Sequence, residues 1–149
     1  MKIASIMTTR VATIEMDDTL RSINNIFSQA KFHHLLVQNK GKLIGVISDR
    51  DLLKASSPFL GTPSERTCDV NRLSRKAHQI MSRELITVET STPIAEAVAI
   101  LMKKNVSCLP VVSPLGKIEG IVTWKDLLKA YMALHGEAKL ECKNCGNIL

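Results

Sequence analysis

The sequence predicts a mixed α/β protein made of two pseudo-symmetric β-α-β-β-α repeats packed sheet to sheet. Three observations lead there. The stretch "GKLIGVISDRDLLKA" (41–55) returns almost unchanged as "GKIEGIVTWKDLLKA" (116–130). Each copy alternates between short apolar runs, which suit strands, and apolar residues three or four apart, which suit helices. The 149 residues are 45% hydrophobic but only 3% aromatic, so the chain can bury a real core, and that core must be aliphatic.

Sliding the chain against itself aligns Ile6–Ala55 with Ile80–Ala130, at an offset of 74 that becomes 75 near Pro114, with 15 of 50 positions identical. This divides the sequence into a first repeat (1–55), a Pro/Gly/Ser-rich linker with a short helix toward its end (56–79), a second repeat (80–133) and a tail (134–149). Neither repeat is large enough to cover both faces of its own sheet, so the two should pack as one pseudo-twofold body.

Within each repeat the elements follow in order. A short strand, "VATIE" (11–15) or "LITVE" (85–89), precedes a helix starting at Asp17-Asp18-Thr19 or at Ser91-Thr92-Pro93, where Pro suits a first helical turn. Leu20, Ile23, Phe27 and Ala30 form the buried stripe of the first helix, and Ile94, Ala97, Val98, Leu101 and Met102 that of the second. Two strands come next, "HHLLVQ" and "KLIGVIS", joined by a turn at Asn39-Lys40-Gly41; the second copy reads "SCLPVVS" and "KIEGIVT", joined through Pro114-Leu115-Gly116. A closing helix begins at "DLLKA" in both copies.

Composition excludes several function classes. The formal charge of +6 favours anionic partners, but the cations are scattered, and scarce aromatics argue against a base-stacking platform, so a nucleic-acid partner is not expected. No apolar stretch approaches the roughly 18 residues of a membrane span, and the acidic turn at Met16-Asp17-Asp18 interrupts any signal-type segment, which makes the cytoplasm the expected location. Four cysteines do not resemble a disulfide framework. No nucleophile–base constellation or spaced carboxylate pair suggests an enzyme.

The strand-to-helix corners Ser48-Asp49-Arg50-Asp51 and Thr123-Trp124-Lys125-Asp126 carry the chemistry. A hydroxyl followed three residues later by an acid is a capping box, and that alone would account for Ser48, Asp51, Thr123 and Asp126. The same geometry suits a nucleotide: a helix start accepts phosphate, and an acid one turn further in can accept the hydroxyls of a ribose. Gly45 and Gly120, just before these corners, would admit a close ligand.

With Ile-Met ahead of the first strand of each repeat, "LPVV" (109–112; "LLVQ" in the first copy) and Gly-apolar-apolar-Ser/Thr-x-x-Asp, occurring twice in register over about residues 1–133, the chain resembles a tandem pair of cystathionine-β-synthase-type (CBS) domains. The resemblance implies a disc with two clefts between the sheets. It implies an adenosine-containing ligand there (AMP, ADP, ATP, S-adenosylmethionine or NAD), and a regulatory role in which occupancy is signalled to an effector protein. In one cleft Asp51 would hold the ribose and Ser48 the phosphate side, with Ile86 and Val106-Ser107-Cys108 lining the adenine. In its mate Asp126 and Thr123 would do the polar work opposite Ala12 and Phe32-His33-His34. Arg50 and Lys125 give both corners a cation. Because His33 and His34 stand where the second copy has Ser107 and Cys108, the clefts are chemically unequal. Leu36 replaces the family's usual Pro, and Trp124 would either wall or plug its cleft.

The tail holds "CKNCGN" (142–147), in which Cys142 and Cys145 form half of a tetrahedral zinc site. It would remain metal-free, pair with its copy in a homodimer to hold zinc, or form a redox pair. Two functions stay open: a nucleotide-sensing module, or an interaction protein with empty clefts that uses the knuckle or its basic surface.

Overall fold

The computed structural model describes residues 1–136. A single 3₁₀ turn over Ile3–Ser5 leads into β1 (Thr13–Glu15), α1 (Leu20–Gln29), β2 (His34–Asn39), β3 (Lys42–Ser48) and α2 (Asp49–Ala55). The connecting segment carries α3 (Thr67–Arg72) and α4 (Ala77–Ile80), and the second half contains α5 (Ile94–Lys104), β4 (Cys108–Val112), β5 (Ile118–Thr123) and α6 (Trp124–His135). Both closing helices start two residues ahead of "DLLKA". Pro93 is the N-cap of α5 rather than a first-turn residue, and α6 continues past residue 133.

The first sheet has the order β1-β2-β3, β1 parallel and β3 antiparallel to β2. Its hairpin turns through Lys40 and Gly41, both at positive φ (51° and 78°), the backbone a two-residue type I′ turn requires. The second sheet has only β4 and β5. The expected strand "LITVE" is reduced to one parallel bridge, Val88 to Val111, in which Val88 N–H donates to Pro110 O (3.0 Å) and Val112 N–H to Val88 O (3.0 Å). Both hairpins carry a register shift at equivalent points, Val37/Gln38 and Val111/Val112.

Alternation along the strands builds two layers at once. Leu35 and Val37 of β2 face the helices with Leu20 and Ile23, while Leu36 points to the opposite face. In the second repeat Leu109, Val111 and Val122 join Ala97 and Leu101, while Cys108 and Ile121 face away. Leu36, Cys108 and Ile121, flanked by Val11, Leu43, Val46 and Ile118, form the layer between the sheets, so the repeats do pack sheet to sheet. Met102 is the exception among the helix positions: one residue past Leu101 on the helix, it is rotated out of the stripe and is 67% exposed.

The repeats also exchange their leading segments. Ile3, fully buried, belongs to the core of the second repeat, and Ala77 belongs to the core of the first. Ile3 N–H donates to Thr92 O (2.9 Å) and Ala4 N–H to Thr90 O (3.1 Å); at the equivalent places Ala77 N–H donates to Asp18 O (2.8 Å) and His78 N–H to Met16 O (3.1 Å). Further along, Thr8 bridges to Ile121, and Ser82 to Val46. The glycines of the corners serve this crossing rather than a ligand: a Cβ at Gly45 would fall on the Met81 side chain, and one at Gly120 would meet the Thr8 carbonyl oxygen and the Met7 sulfur.

Candidate functional site

Two strand-to-helix corners face one crevice. At the first, Ser48 N–H and Oγ–H both donate to Asp51 Oδ2 (2.9 and 2.8 Å), and Asp51 N–H donates back to Ser48 Oγ (3.2 Å). At the second, Thr123 N–H and Oγ1–H both donate to Asp126 Oδ2 (2.8 Å each). The capping box is therefore real at both corners. Among the described residues these bonds use only Oδ2, so the second oxygen of each carboxylate has no protein partner. Capping and ligand recognition are compatible at one side chain.

The crevice is a cleft of about 580 Å³. It gathers Thr123, Lys125 and Asp126 with Ala12, Phe32, His33 and His34, the set assigned from the sequence to one cleft, and adds Ser48, Arg50 and Ser107 from the set assigned to its mate. Asp51, Ile86, Val106 and Cys108 do not line it. Ile86 and Val106 pack against the core of the second repeat, and Cys108 lies in the layer between the sheets, where burial pushes its thiol up to about 12. A second cavity of about 450 Å³, near Glu89, Glu96 and Ser113, contains none of these residues.

One wall of the cleft is apolar, formed by Val11, Ala12, Phe32 and Ile121. Phe32 is steadied by a tilted contact with Phe27, ring centroids 6.0 Å apart. Trp124, 42% exposed, stands in the lining and leaves the cleft open. The polar side is strongly cationic. Arg10, Lys31, Arg50, Lys125 and Lys129 line it against two carboxylates, Asp49 and Asp126. None of the five cations has a carboxylate within ion-pair distance among the described residues.

The histidines tie the rim together. The His33 ring nitrogen Nδ1 lies 2.8 Å from Asp49 Oδ2, and His34 Nε2 lies 2.9 Å from Ser107 Oγ, joining the two repeats across the cleft. Burial, aided by the nearby His33, lowers the His34 pKa against the opposing attraction of Asp49 and Asp51. Desolvation pushes the Asp49 carboxyl up, but the hydrogen bonds from His33 and the Arg50 backbone outweigh it and hold the group below its ordinary value.

Sequence reasoning gave no cleft role to Thr8, Arg10, Val11, Lys31, Asp49, Ile121 or Lys129. Lys31 stands immediately before Phe32 and Arg10 two residues before Ala12, so a search for cations flanking those segments would have found them. Cys142 and Cys145 lie outside the described residues, as does the whole "CKNCGN" stretch. No described helix is long and apolar enough to cross a membrane.

The family model for the CBS domain matches residues 3–58 and 77–133. A CBS domain-containing protein of Dictyostelium discoideum is 36% identical over 128 residues, covering 85% of this chain and 88% of that protein. Among solved structures, the CBS domain pair of protein MJ0100 in complex with 5′-methylthioadenosine and S-adenosyl-L-methionine superposes with a TM-score of 0.74 at 22% identity, covering 90% of this chain and 98% of that one. CBSX2 in complex with AMP superposes with a TM-score of 0.75 at 23% identity, covering 90% and 98%.

Proposed function

This chain belongs to the CBS domain family, and on that premise we propose that it is a regulatory module: it binds an adenosine-containing nucleotide in the cleft beside Asp126 and signals occupancy to a partner protein. The observation that carries this reading is the three-part chemistry of one cleft. An apolar wall suits adenine, a carboxylate with one oxygen unpartnered among the described residues suits the ribose hydroxyls, and a cluster of cations unpaired among those residues suits phosphate. On this reading the module acts by binding, and the His34–Ser107 hydrogen bond joins the two repeats across the cleft. The ligands seen in the solved neighbours, AMP and S-adenosylmethionine among them, support the same class of ligand. Of the two clefts expected from the sequence, the corner of Asp51 and Ser48 contributes through Ser48 and Arg50, and the ribose role falls to Asp126.

A thermal-shift screen tests this. A ligand at about 100 times its dissociation constant adds about 2.7 kcal/mol, which for a chain of this size raises Tm by roughly 5–10 °C. AMP, ADP or ATP should give such a shift, and inorganic phosphate should not. Asp126→Asn keeps an acceptor for the Thr123 N–H but removes the charge, and should cut the shift without lowering the ligand-free Tm by more than about 1 kcal/mol equivalent. An interaction protein with an empty cleft would show no adenosyl shift. A nucleic-acid binder would show salt-dependent association without adenine preference.

A homodimer is also proposed, with Cys142 and Cys145 of two copies completing a four-cysteine zinc site. Metal analysis should then give one zinc per two chains, and zinc-free protein of unchanged oligomeric state after Cys142→Ser would exclude it.

A further inference from the structure

The repeat offset allows each residue of the cleft to be compared with its counterpart at the mate corner. Arg50 and Lys125 are equivalent, so both corners carry that cation. Two other cations are not shared. Arg10 has Glu84 as its counterpart, and Lys31 has Asn105. Arg10 and Lys31 both line the open cleft, flanking its apolar wall at Val11-Ala12 and at Phe32. Moving from this cleft to its mate therefore exchanges a guanidinium for a carboxylate and an ammonium for a neutral amide. The indole of Trp124 likewise corresponds to Asp49. At the lining positions the exchange removes two cations and adds one acid, while the adjacent Thr9 and Ala30 correspond to Arg83 and Lys104.

Resting on the nucleotide-binding reading above, we propose that each chain binds a single adenine nucleotide with two or more phosphates, in the cleft of Asp126, and that Arg10 and Lys31 select it over phosphate-free adenosyl compounds. Five cations that have no ion-pair partner among the described residues, around two carboxylates, one of them already bonded to His33, leave positive charge to be compensated by the ligand. A monophosphate compensates it in part, and a di- or triphosphate more fully. S-adenosylmethionine brings a sulfonium and an ammonium into the same field, and methylthioadenosine brings no charge. The counterpart of Arg10, Glu84, places a carboxylate beside Arg83 on the mate side, which is less favourable to the same polyphosphate. Single occupancy follows from the same asymmetry.

Calorimetric titration of the full chain at fixed ionic strength with ATP, ADP, AMP, S-adenosylmethionine, methylthioadenosine and tripolyphosphate tests this. Expected are one site per chain and affinity falling from ATP through ADP to AMP, with the two phosphate-free compounds weaker than AMP. Arg10→Glu installs the counterpart's acid and should shrink the ATP-to-AMP affinity ratio by about tenfold. Arg10 is exposed and pairs with no carboxylate among the described residues, so the variant should melt within a few degrees of the parent, which certifies its fold. Two equivalents of nucleotide per chain, S-adenosylmethionine binding as tightly as ATP, or an unchanged ratio in Arg10→Glu would each overturn the proposal while leaving nucleotide binding standing. Silence from every adenosyl compound, or tripolyphosphate matching ATP, would overturn the underlying reading and this proposal with it.

Discussion

Replacing Gly120 by Ala should destabilise the protein by prying the leading segment off the second sheet. A Cβ at Gly120 would stand 2.8 Å from the Thr8 carbonyl oxygen and 3.0 Å from the Met7 sulfur, where ordinary contact needs roughly half an ångström more. Thr8 cannot retreat freely. Its N–H donates to Ile121 O (2.9 Å), and its carbonyl accepts from Ile121 N–H (3.0 Å), so withdrawal loosens both bonds. Overpacking of this kind costs about 1–3 kcal/mol, each weakened hydrogen bond up to about 1 kcal/mol, and the lower chain entropy of Ala returns about 0.5–1 kcal/mol. The net loss is about 2 kcal/mol, read by calorimetry as a Tm drop of roughly 4–8 °C. Gly45→Ala is the internal control. The three atoms nearest its Cβ all belong to the Met81 side chain, of which Sδ and Cγ can rotate away and Cβ, 3.0 Å off, cannot, whereas Gly120 meets a backbone carbonyl, so the Gly45 cost should be smaller. Gly120→Ala as stable as the parent, or Gly45→Ala costing more, would refute the argument.

Ile3→Ala should cost about 2–4 kcal/mol, because a fully buried side chain leaves a cavity. Hydrogen exchange should show the loss at Ala97, Leu101 and Val111 rather than at Ile23 and Val37; the reverse pattern would contradict the exchange of segments. Burial lowers the His34 pKa, which makes stability pH-dependent. Its folded pKa lies below the unfolded one, so the stability is fully present above about pH 6.5 and declines as pH falls, because the unfolded chain takes up the proton first. His34→Gln should flatten the slope of Tm between about pH 7.5 and 5.5, and an unchanged slope would remove His34 as the cause. Cys108, with its thiol raised to about 12, should resist alkylation near neutral pH while exposed Cys68 reacts, as peptide mapping can read. Equal labelling of the two would contradict the buried sheet-to-sheet layer.

The elements set by local chemistry were legible in the sequence. The Lys40-Gly41 turn, the Ser48 and Thr123 corners and the alternation of Leu35, Leu36 and Val37 each depend on residues within a few positions of one another. What escaped depends on partners far away in the chain. An alignment of two similar copies says that Ile3 and Ala77 are equivalent, but not which core receives each, and the exchange follows from three-dimensional fit at Gly120 and Gly45. The missing strand at Val88 reflects a sheet edge held by a single bridge, which a β-rich pattern such as "LITVE" cannot distinguish from a full strand. The candidate site was half legible. Motif residues such as Asp126 and Thr123 were found, whereas Arg10 and Lys31 sit outside any motif, and Lys129, although inside "DLLKA", reaches the cleft only because the helix turns it there. Cys108 is assigned to a cleft through the resemblance, as part of Val106-Ser107-Cys108, whereas it lies buried in the layer with Leu36 and Ile121.

The most direct test of the central claim is a crystal structure of the full chain grown with saturating ADP. Nucleotide density should lie in the cleft bounded by Ala12, Phe32 and Asp126, with a ribose hydroxyl within hydrogen-bond distance of the Asp126 carboxylate and the phosphates directed at Arg10 and Lys31. Density at another surface, or a cleft holding only solvent at that concentration, would contradict it.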